Sequence, residues 1–533
     1  MAQDIVSNVS PLPAHSLLST SHSVMASFAK HSVVVALVLV AACCRPSAAS
    51  RIVNGLASDE VSEARNATLH PVVIVGPLLG QTLLVKDSRW AHPCSKLVPA
   101  WETAWIGLRY TELLCAVSGG QLDLAFDEET NLTSPFDDDI EVKEAESWEG
   151  LKVAGKEPYR LLVERLVKHG YVKGENILAQ PYDWRLGVAD WRLRTFPTMR
   201  RSIEAAKRKS GLGVVLTGIS MAGPFNHAFL SWARKTAGPG WLAEHVHAFV
   251  PIAAPWNGAV NALSSLLGGA LTSFSSSSRT FENTEFTCPQ CSPALPEHVK
   301  ASGFFNVTTG LFANLLHGVD NLFQDAVQSG LTSLIRSIPS IFWMSTNVDS
   351  STSPPTDDVV VEFARDKTIT EAVRASQMPA LFRRFGLHEE AILLEYALSE
   401  GTTTDPGVPV HCVYSTNVRT FTKLVFPVSA STVLYNERVD LGDGDGTVHL
   451  GSLSVCDRWP STRKTYRIPG VPHISLLTVS QVLDVVLAAA TEDTQALEAW
   501  KTPEYDDLDI LDNDFGKGED GKKSFSGGFL VQS

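Results

Sequence analysis

Short apolar runs alternate with amphipathic stretches along most of the chain. Residues 71–76 (PVVIVG) form an unbroken apolar run closed by a glycine, which predicts a buried strand. Residues 158–169 (PYRLLVERLVKH) carry Leu161, Leu162, Leu166 and Val167 at helical spacing. Residues 198–209 read as a further helix, and Gly213 followed by VVLTG reads as a second buried strand. Residues 224–236 predict the next helix and 246–253 (VHAFVPIA) a third strand. Strand, helix and strand in this order predict a parallel α/β sheet. Residues 257–300, rich in Ser, Gly and Ala, break the rhythm and read as an insertion. Residues 311–400 read as more helical, order returns at 408–415, and 476–490 (LLTVSQVLDVVLAAA) predict a closing helix. Residues 502–533, acidic and then Gly- and Lys-rich, predict a disordered tail.

Composition narrows the class. The chain has 533 residues, 44% of them hydrophobic, enough for a sizeable core. A net charge of −14 and the lack of a Lys/Arg cluster exclude nucleic acid as a partner, because phosphate binding needs clustered cations. Near the start, Lys30 and His31 precede the apolar run 32–42, and Ser47-Ala48-Ala49 supplies small residues for cleavage. The run is short against the roughly 20 residues of a membrane span, so 1–49 read as a signal peptide, with Met25 as an alternative start. An uncleaved anchor and a lipobox at Val40-Ala41-Ala42-Cys43 are the rival readings. Of eight cysteines, Cys43 and Cys44 leave with the signal, and an even remainder on a secretory route favours disulfides. Asn66, Asn131 and Asn306 each open a glycosylation sequon. Residues 50–69 form a polar lead-in. Within it Arg51-Ile-Val-Asn-Gly resembles a protease activation site, but no matching Ser, His and Asp contexts follow.

The sharpest chemical feature is Gly218-Ile219-Ser220-Met221-Ala222-Gly223, between a predicted strand and a predicted helix. A nucleophile elbow needs this context, because its Ser sits on a tight turn whose neighbours must be small. The usual final Gly is Ala222 here, and the plain alternative is an ordinary strand–turn–helix. Downstream lies Gly442 to Val448 (GDGDGTV), which offers a carboxylate but lacks the later ligands of an EF-hand calcium loop. His473 follows in a loop just before the last helix. Ser, then Asp, then His is the chain order of an α/β-hydrolase triad.

Five blocks make a family resemblance specific. They are His70-Pro-Val-Val-Ile-Val, His169 to Asn176 with Pro181-Tyr182-Asp183-Trp184-Arg185, Ala254-Pro255-Trp256-Asn257-Gly258, the GDGDGTV loop, and Pro469-Gly470 with His473. In this order they resemble the lecithin:cholesterol acyltransferase and lysosomal phospholipase A family over most of residues 70–490. The resemblance implies an α/β-hydrolase fold, a mostly parallel sheet with flanking helices, a cap subdomain and a small lid or membrane-binding subdomain. It implies an acyltransferase domain at 70–501, with a lid insert at about 86–148 and an enlarged cap insert at about 260–405. It implies Ser220 as nucleophile, Asp445 as acid and His473 as base, with Asp443 as the other carboxylate of the loop. The oxyanion donors would be the backbone N–H groups of Met221 and Leu78. Two departures stand out: the loop reads Gly76-Pro77 where the family has Pro-Gly, and Ile219 stands where a His is usual. The resemblance also implies bridges Cys94–Cys115 and Cys412–Cys456. Cys288 and Cys291 have no counterpart and read as a local disulfide. Trp101 and Trp105, inside the first bridge, are expected at a lipid contact, with buried core as the alternative. Pro181 to Arg185 are expected to be structural, with Asp183 and Arg185 paired.

The expected activity is that of a phospholipase A or O-acyltransferase, passing an acyl chain from phospholipid to water or a lipid alcohol at a membrane or lipid-particle surface. No metal or organic cofactor is implied. A diacylglycerol acyltransferase or neutral-lipid lipase, and a non-catalytic lipid-binding protein, are the alternatives. The expected location is the secretory pathway, ending outside the cell or in a lysosome-like compartment.

Overall fold

Six of the apolar runs lie side by side as parallel strands at the centre of the molecule. The computed structural model describes residues 68–90, 92–96, 99–105, 115–146, 148, 151, 157–268, 321–365, 368–428 and 438–511. The expected signal peptide, the lead-in as far as residue 67, Asn66, Asn306, Cys288 and Cys291 lie outside the described residues.

The chain enters at β1 (Val72–Val75) and makes an excursion through β2 (Leu83–Asp87), β3 (Glu102–Trp105), β4 (Leu124–Asp127), β5 (Leu132–Pro135) and β6 (Ile140–Glu144). It returns by α1 (Arg160–Lys168) to β7 (Ile177–Gln180). Helices α2 (Val188–Leu193) and α3 (Thr195–Ser210) lead to β8 (Val214–Ile219). There follow α4 (Ala222–Ala237), α5 (Pro239–His245) and β9 (Val246–Ile252). A long cap then holds α6 (Val260–Gly268), α7 (Asn321–Ser337), α8 (Pro339–Trp343), β10 (Val359–Arg365), β11 (Thr368–Arg374), α9 (Met378–Arg384) and α10 (His388–Ser399). The chain closes through β12 (Val410–Thr416), β13 (Thr420–Pro427), β14 (Arg438–Gly442), β15 (Thr462–Pro469) and α11 (Ser480–Thr491).

The central sheet has the order β15-β12-β9-β8-β1-β7, and every pair in it is parallel. Helices cover both faces, so β1 and β8 are buried along their whole lengths. Each such Val, Leu or Ile contributes roughly 1.5–3 kcal/mol. This is the α/β layering expected of an α/β-hydrolase. From β1 the chain steps to β7 on one side, and then to β8 on the other. That reversal leaves a crevice at the carboxyl ends of β1 and β8, where open α/β sheets bind ligands.

Three smaller sheets depart from the expected pattern. The excursion after β1 forms an antiparallel β3-β2-β6 sheet and a β4-β5 pair. The cap is not simply helical, because β10 and β11 join β13 and β14 in a mixed sheet. Of β11 only Val373 is buried, so no alternation marks it in the sequence. Of the expected tail, residues 502–511 are described and bonded to the body, and 512–533 lie outside the described residues. Ser480 donates to Asp509 O and Leu511 to Thr478 O, both at 2.8 Å, which ties 502–511 to the body. No helix among the described residues is long and apolar enough to cross a membrane.

Candidate active site

Ser220 follows β8 directly and has φ of 62°, left-handed for a residue that is not glycine. That conformation costs roughly 1–2 kcal/mol and is what a strand-to-helix elbow imposes. The Ser220 N–H donates to Ile252 O at 2.8 Å, and Gly223 N–H donates to Ser220 O at 2.9 Å, so the turn is held at both ends. A Cβ on Gly218 would lie 2.4 Å from Ala222 Cβ and 2.6 Å from Val75 O. Ala222 therefore fits where the motif usually has Gly because residue 218 leaves the space. Tyr159, fully buried, accepts the Ile219 N–H at 2.9 Å and donates to Val75 O at 2.8 Å. Its hydroxyl joins β1 to β8 just beyond their last paired residues.

Asp445 and His473 meet at the same edge of the sheet. Asp445 is wholly buried and follows β14, bridged to Val418 just past β12. Its Oδ1 accepts the N–H groups of Thr447 at 2.9 Å and Val448 at 2.7 Å. Gly446, with φ of 88°, lets the loop wrap around this carboxylate. Oδ2 faces His473 Nδ1 at 2.6 Å, and the His473 N–H donates to Asp445 O at 2.8 Å. An ionised carboxylate only accepts, so Nδ1 carries the proton, and in the neutral ring Nε2 is the basic nitrogen. Nε2 is buried and has no hydrogen-bond partner, so it makes no bond to Ser220 Oγ in this structure. Asp443 is engaged elsewhere, with Oδ1 accepting the Asn417 N–H at 2.5 Å.

The loop after β1 leaves the sheet at the same, carboxyl end as the elbow, since β1 and β8 are parallel neighbours. Leu78 is buried, and Gly80 N–H donates to Pro77 O at 2.9 Å to close a turn in which Leu79 has φ of 63°. Neither the Leu78 nor the Met221 N–H donates to a backbone carbonyl among the described residues. Trp105 is not at the surface. It is 3% exposed, and its Nε1–H donates to Leu79 O at 2.9 Å, so the lipid contact expected of it is replaced by a bond to this loop. Trp101 is 40% exposed, under the Lys143 ammonium. Sequence reasoning missed two other exposed aromatic residues, Trp90 at 93% and Phe136 at 71%, whose signal was an aromatic residue in a polar loop.

The neighbouring blocks are structural. Asp183 and Arg185 form a buried bidentate pair at 3.0 and 2.6 Å, and Arg185 also donates to Leu122 O at 2.9 Å. Cys94–Cys115 and Cys412–Cys456 are bonded, as the resemblance implied. Trp256 packs its Nε1 against Cys456 Sγ at 3.1 Å. Asn131 is partly exposed in the turn between β4 and β5. Among the described residues, His70, His247 and Glu492 also cluster, at the opposite edge of the sheet. The two rings stack at 3.6 Å with planes 21° apart, so their lone pairs run side by side and do not converge on an ion.

Comparison with known proteins places the chain in a family. The family model for lecithin:cholesterol acyltransferase matches residues 103–474. The lysosomal phospholipase A and acyltransferase of Mus musculus is 26% identical over 438 residues, 78% of this chain and 88% of that protein. The phosphatidylcholine-sterol acyltransferase of Gallus gallus is 25% identical over 324 residues, 59% and 62% of the two chains. The phospholipid:diacylglycerol acyltransferase of Saccharomyces cerevisiae is 24% identical over 405 residues, 65% and 55%. With a matching model over well more than half its length, the chain belongs to the lecithin:cholesterol acyltransferase family of lipid acyltransferases and phospholipases.

Proposed function

We propose that the protein is a serine-dependent acyl hydrolase or acyltransferase of phospholipids, with Ser220 as nucleophile. The observation that carries this is the His473–Asp445 pair, with a free Nε2, at the sheet edge where Ser220 sits in a left-handed elbow. His473 Nε2 takes the Ser220 proton as Oγ attacks the ester carbonyl. The tetrahedral oxyanion forms between the N–H groups of Met221 and Leu78. The C–O bond then breaks, His473 returns the proton to the departing lysophospholipid, and an acyl-Ser220 remains. Water, activated by the same His, gives a free fatty acid, while a lipid alcohol gives a new ester. Asp445 holds the His473 tautomer and stabilises the imidazolium.

Trp101, with Trp90 and Phe136, meets the lipid surface, where amphipathic rings lie at the headgroup level. The secretory route read from residues 1–49, with Asn66, Asn131 and Asn306 glycosylated, delivers the enzyme to an extracellular or lysosome-like compartment. The test is lipid product analysis by mass spectrometry on phosphatidylcholine vesicles, with and without a long-chain alcohol or diacylglycerol. Fatty acid release by the wild type and none by Ser220→Ala is expected. Release that survives Ser220→Ala overturns the assignment, and the ratio of ester to free acid identifies the acceptor.

A further inference from the structure

We infer that Trp105 is a positioning residue which, through two peptide planes, sets the direction of the Leu78 N–H; the inference rests on the proposed role of that N–H as an oxyanion donor. A trans peptide is planar, so its C=O and the following N–H point in opposite directions. Trp105 Nε1–H donates to Leu79 O at 2.9 Å, and holding that carbonyl aims the N–H of Gly80. Gly80 N–H donates in turn to Pro77 O at 2.9 Å. Holding the Pro77 carbonyl aims the next N–H, that of Leu78, the other way.

The rest of the loop is held from outside in the same manner. Tyr182 Oη–H lies 2.8 Å from Gly76 O and 3.3 Å from Pro77 O. Trp184 Nε1–H donates to Gln81 O at 3.0 Å, and its ring meets that of Trp105 edge-on at 5.3 Å. Four carbonyls of this short loop are thus bonded to aromatic donors, while the Leu78 N–H donates to no backbone carbonyl among the described residues. The external hold is needed because Leu79 takes a left-handed φ that a leucine does not favour. The Gly76-Pro77 exchange leaves Pro77 with no N–H of its own, so its carbonyl is its one backbone hydrogen-bonding group. Trp105 closes β3, and the exposed Trp101 directly precedes that strand, so residues 101–105 carry both the proposed lipid contact and the support of the oxyanion loop.

The test uses the full chain and a water-soluble aryl ester, so that membrane binding does not enter. Trp105→Phe keeps the ring and removes the N–H. Trp184→Phe makes the same change at Gln81, beyond the relay, and serves as the control. An oxyanion exists only in the transition state, so the loss falls on kcat and not on KM. Deleting an oxyanion donor costs about 10²–10³ in kcat, and misaiming one should cost about tenfold or more. Trp105→Phe is therefore expected to lower kcat and the rate of fluorophosphonate labelling together, with KM within about twofold of wild type. Trp184→Phe should leave kcat within about threefold at a similar thermal midpoint. If Trp105→Phe does not fold, Tyr182→Phe, which frees Gly76 O and leaves Pro77 O held by Gly80 N–H alone, carries the same expectation. Wild-type kcat in the folded Trp105→Phe or Tyr182→Phe protein overturns the relay, as does an equal loss in Trp184→Phe. A wild-type protein that does not label at Ser220, by peptide mapping, sinks the reading of the site and the relay with it.

Discussion

Replacing Asp445 with asparagine separates the proposed mechanism from a merely structural loop. The Thr447 and Val448 N–H groups at 2.9 and 2.7 Å require an acceptor, so the oxygen of the new amide must take the Oδ1 place. Its NH₂ is then forced toward His473 Nδ1. A donor there makes Nδ1 the acceptor and moves the ring proton to Nε2. The base is then blocked at the atom meant to receive the Ser220 proton. The same tautomer reversal in a serine protease triad costs about 10⁴ in kcat, or about 5 kcal/mol of transition-state stabilisation. Folding should change far less. Three charge-assisted bonds become neutral, a loss of roughly 1 kcal/mol each, while a wholly buried charge is removed, which offsets part of it. The expected result for D445N is a fall of about 10³–10⁴ in fatty acid release with a thermal midpoint shifted by only a few degrees. Asp443→Asn is the matched control, because Asp443 bonds Asn417 N–H and not His473. Its activity should stay within about fivefold of wild type. A D445N protein that keeps more than about a tenth of its activity, or equal losses in both variants, refutes the reasoning.

Three further outcomes follow from the same structure. Trp101→Ser should weaken partition to phosphatidylcholine vesicles by roughly tenfold, about 1.4 kcal/mol, without changing turnover of a soluble ester; vesicle co-sedimentation checks it. Gly218→Ala drives a methyl to 2.4 Å from Ala222 Cβ, an overpacking of about 1–3 kcal/mol, and should lower the thermal midpoint and abolish fluorophosphonate labelling. His227, in α4, is held at about 4 by burial, below its ordinary 6.5, and its Nδ1 has no acceptor. Its contribution is complete above pH 6.5 and is lost as pH falls through about 4, so the urea midpoint should drop across that window by up to about 1.4 kcal/mol per pH unit. His227→Gln keeps a donor for Thr404 O and should flatten the drop; an unchanged slope counts against this cause.

How much of this was legible in the sequence depended on the distance between partners. The core strands β1, β8 and β9 are short, mostly apolar runs, and the elbow is six consecutive residues, so both are visible locally. The Asp445 loop is legible for the same reason, since the carboxylate bonds its own Thr447 and Val448 N–H groups. The cap sheet was not. β10 pairs on one side with β11, whose exposed face gives no alternation, and on the other with β13, some sixty residues on and beyond a core strand. Of the two readings open for Trp105, lipid contact and buried core, the structure has the buried one. An aromatic inside a disulfide loop looks like a surface contact until Leu79 O, 26 residues away, is seen to be its acceptor.

The exchanged Gly76-Pro77 pair shows what such distant contacts do for chemistry. From sequence it is a defect in a motif, and by itself it would count toward an inactive lipid-binding protein. In the structure, Gly76 O and Pro77 O are both held by Tyr182, from the block read as structural, and Pro77 O also by Gly80 N–H. Tyr182 sits beside the Asp183–Arg185 ion pair, whose burial fixes the backbone from which the hydroxyl reaches the loop. With four carbonyls of the loop held by side-chain donors, the Leu78 N–H is left with no backbone acceptor among the described residues. The departure from the usual motif is therefore compatible with a working oxyanion hole, provided Tyr182 and Trp105 keep their bonds to the loop. The functional question moves accordingly from residues 76 and 77 to Tyr182 and Trp105, which no motif of the elbow, the acid or the base contains.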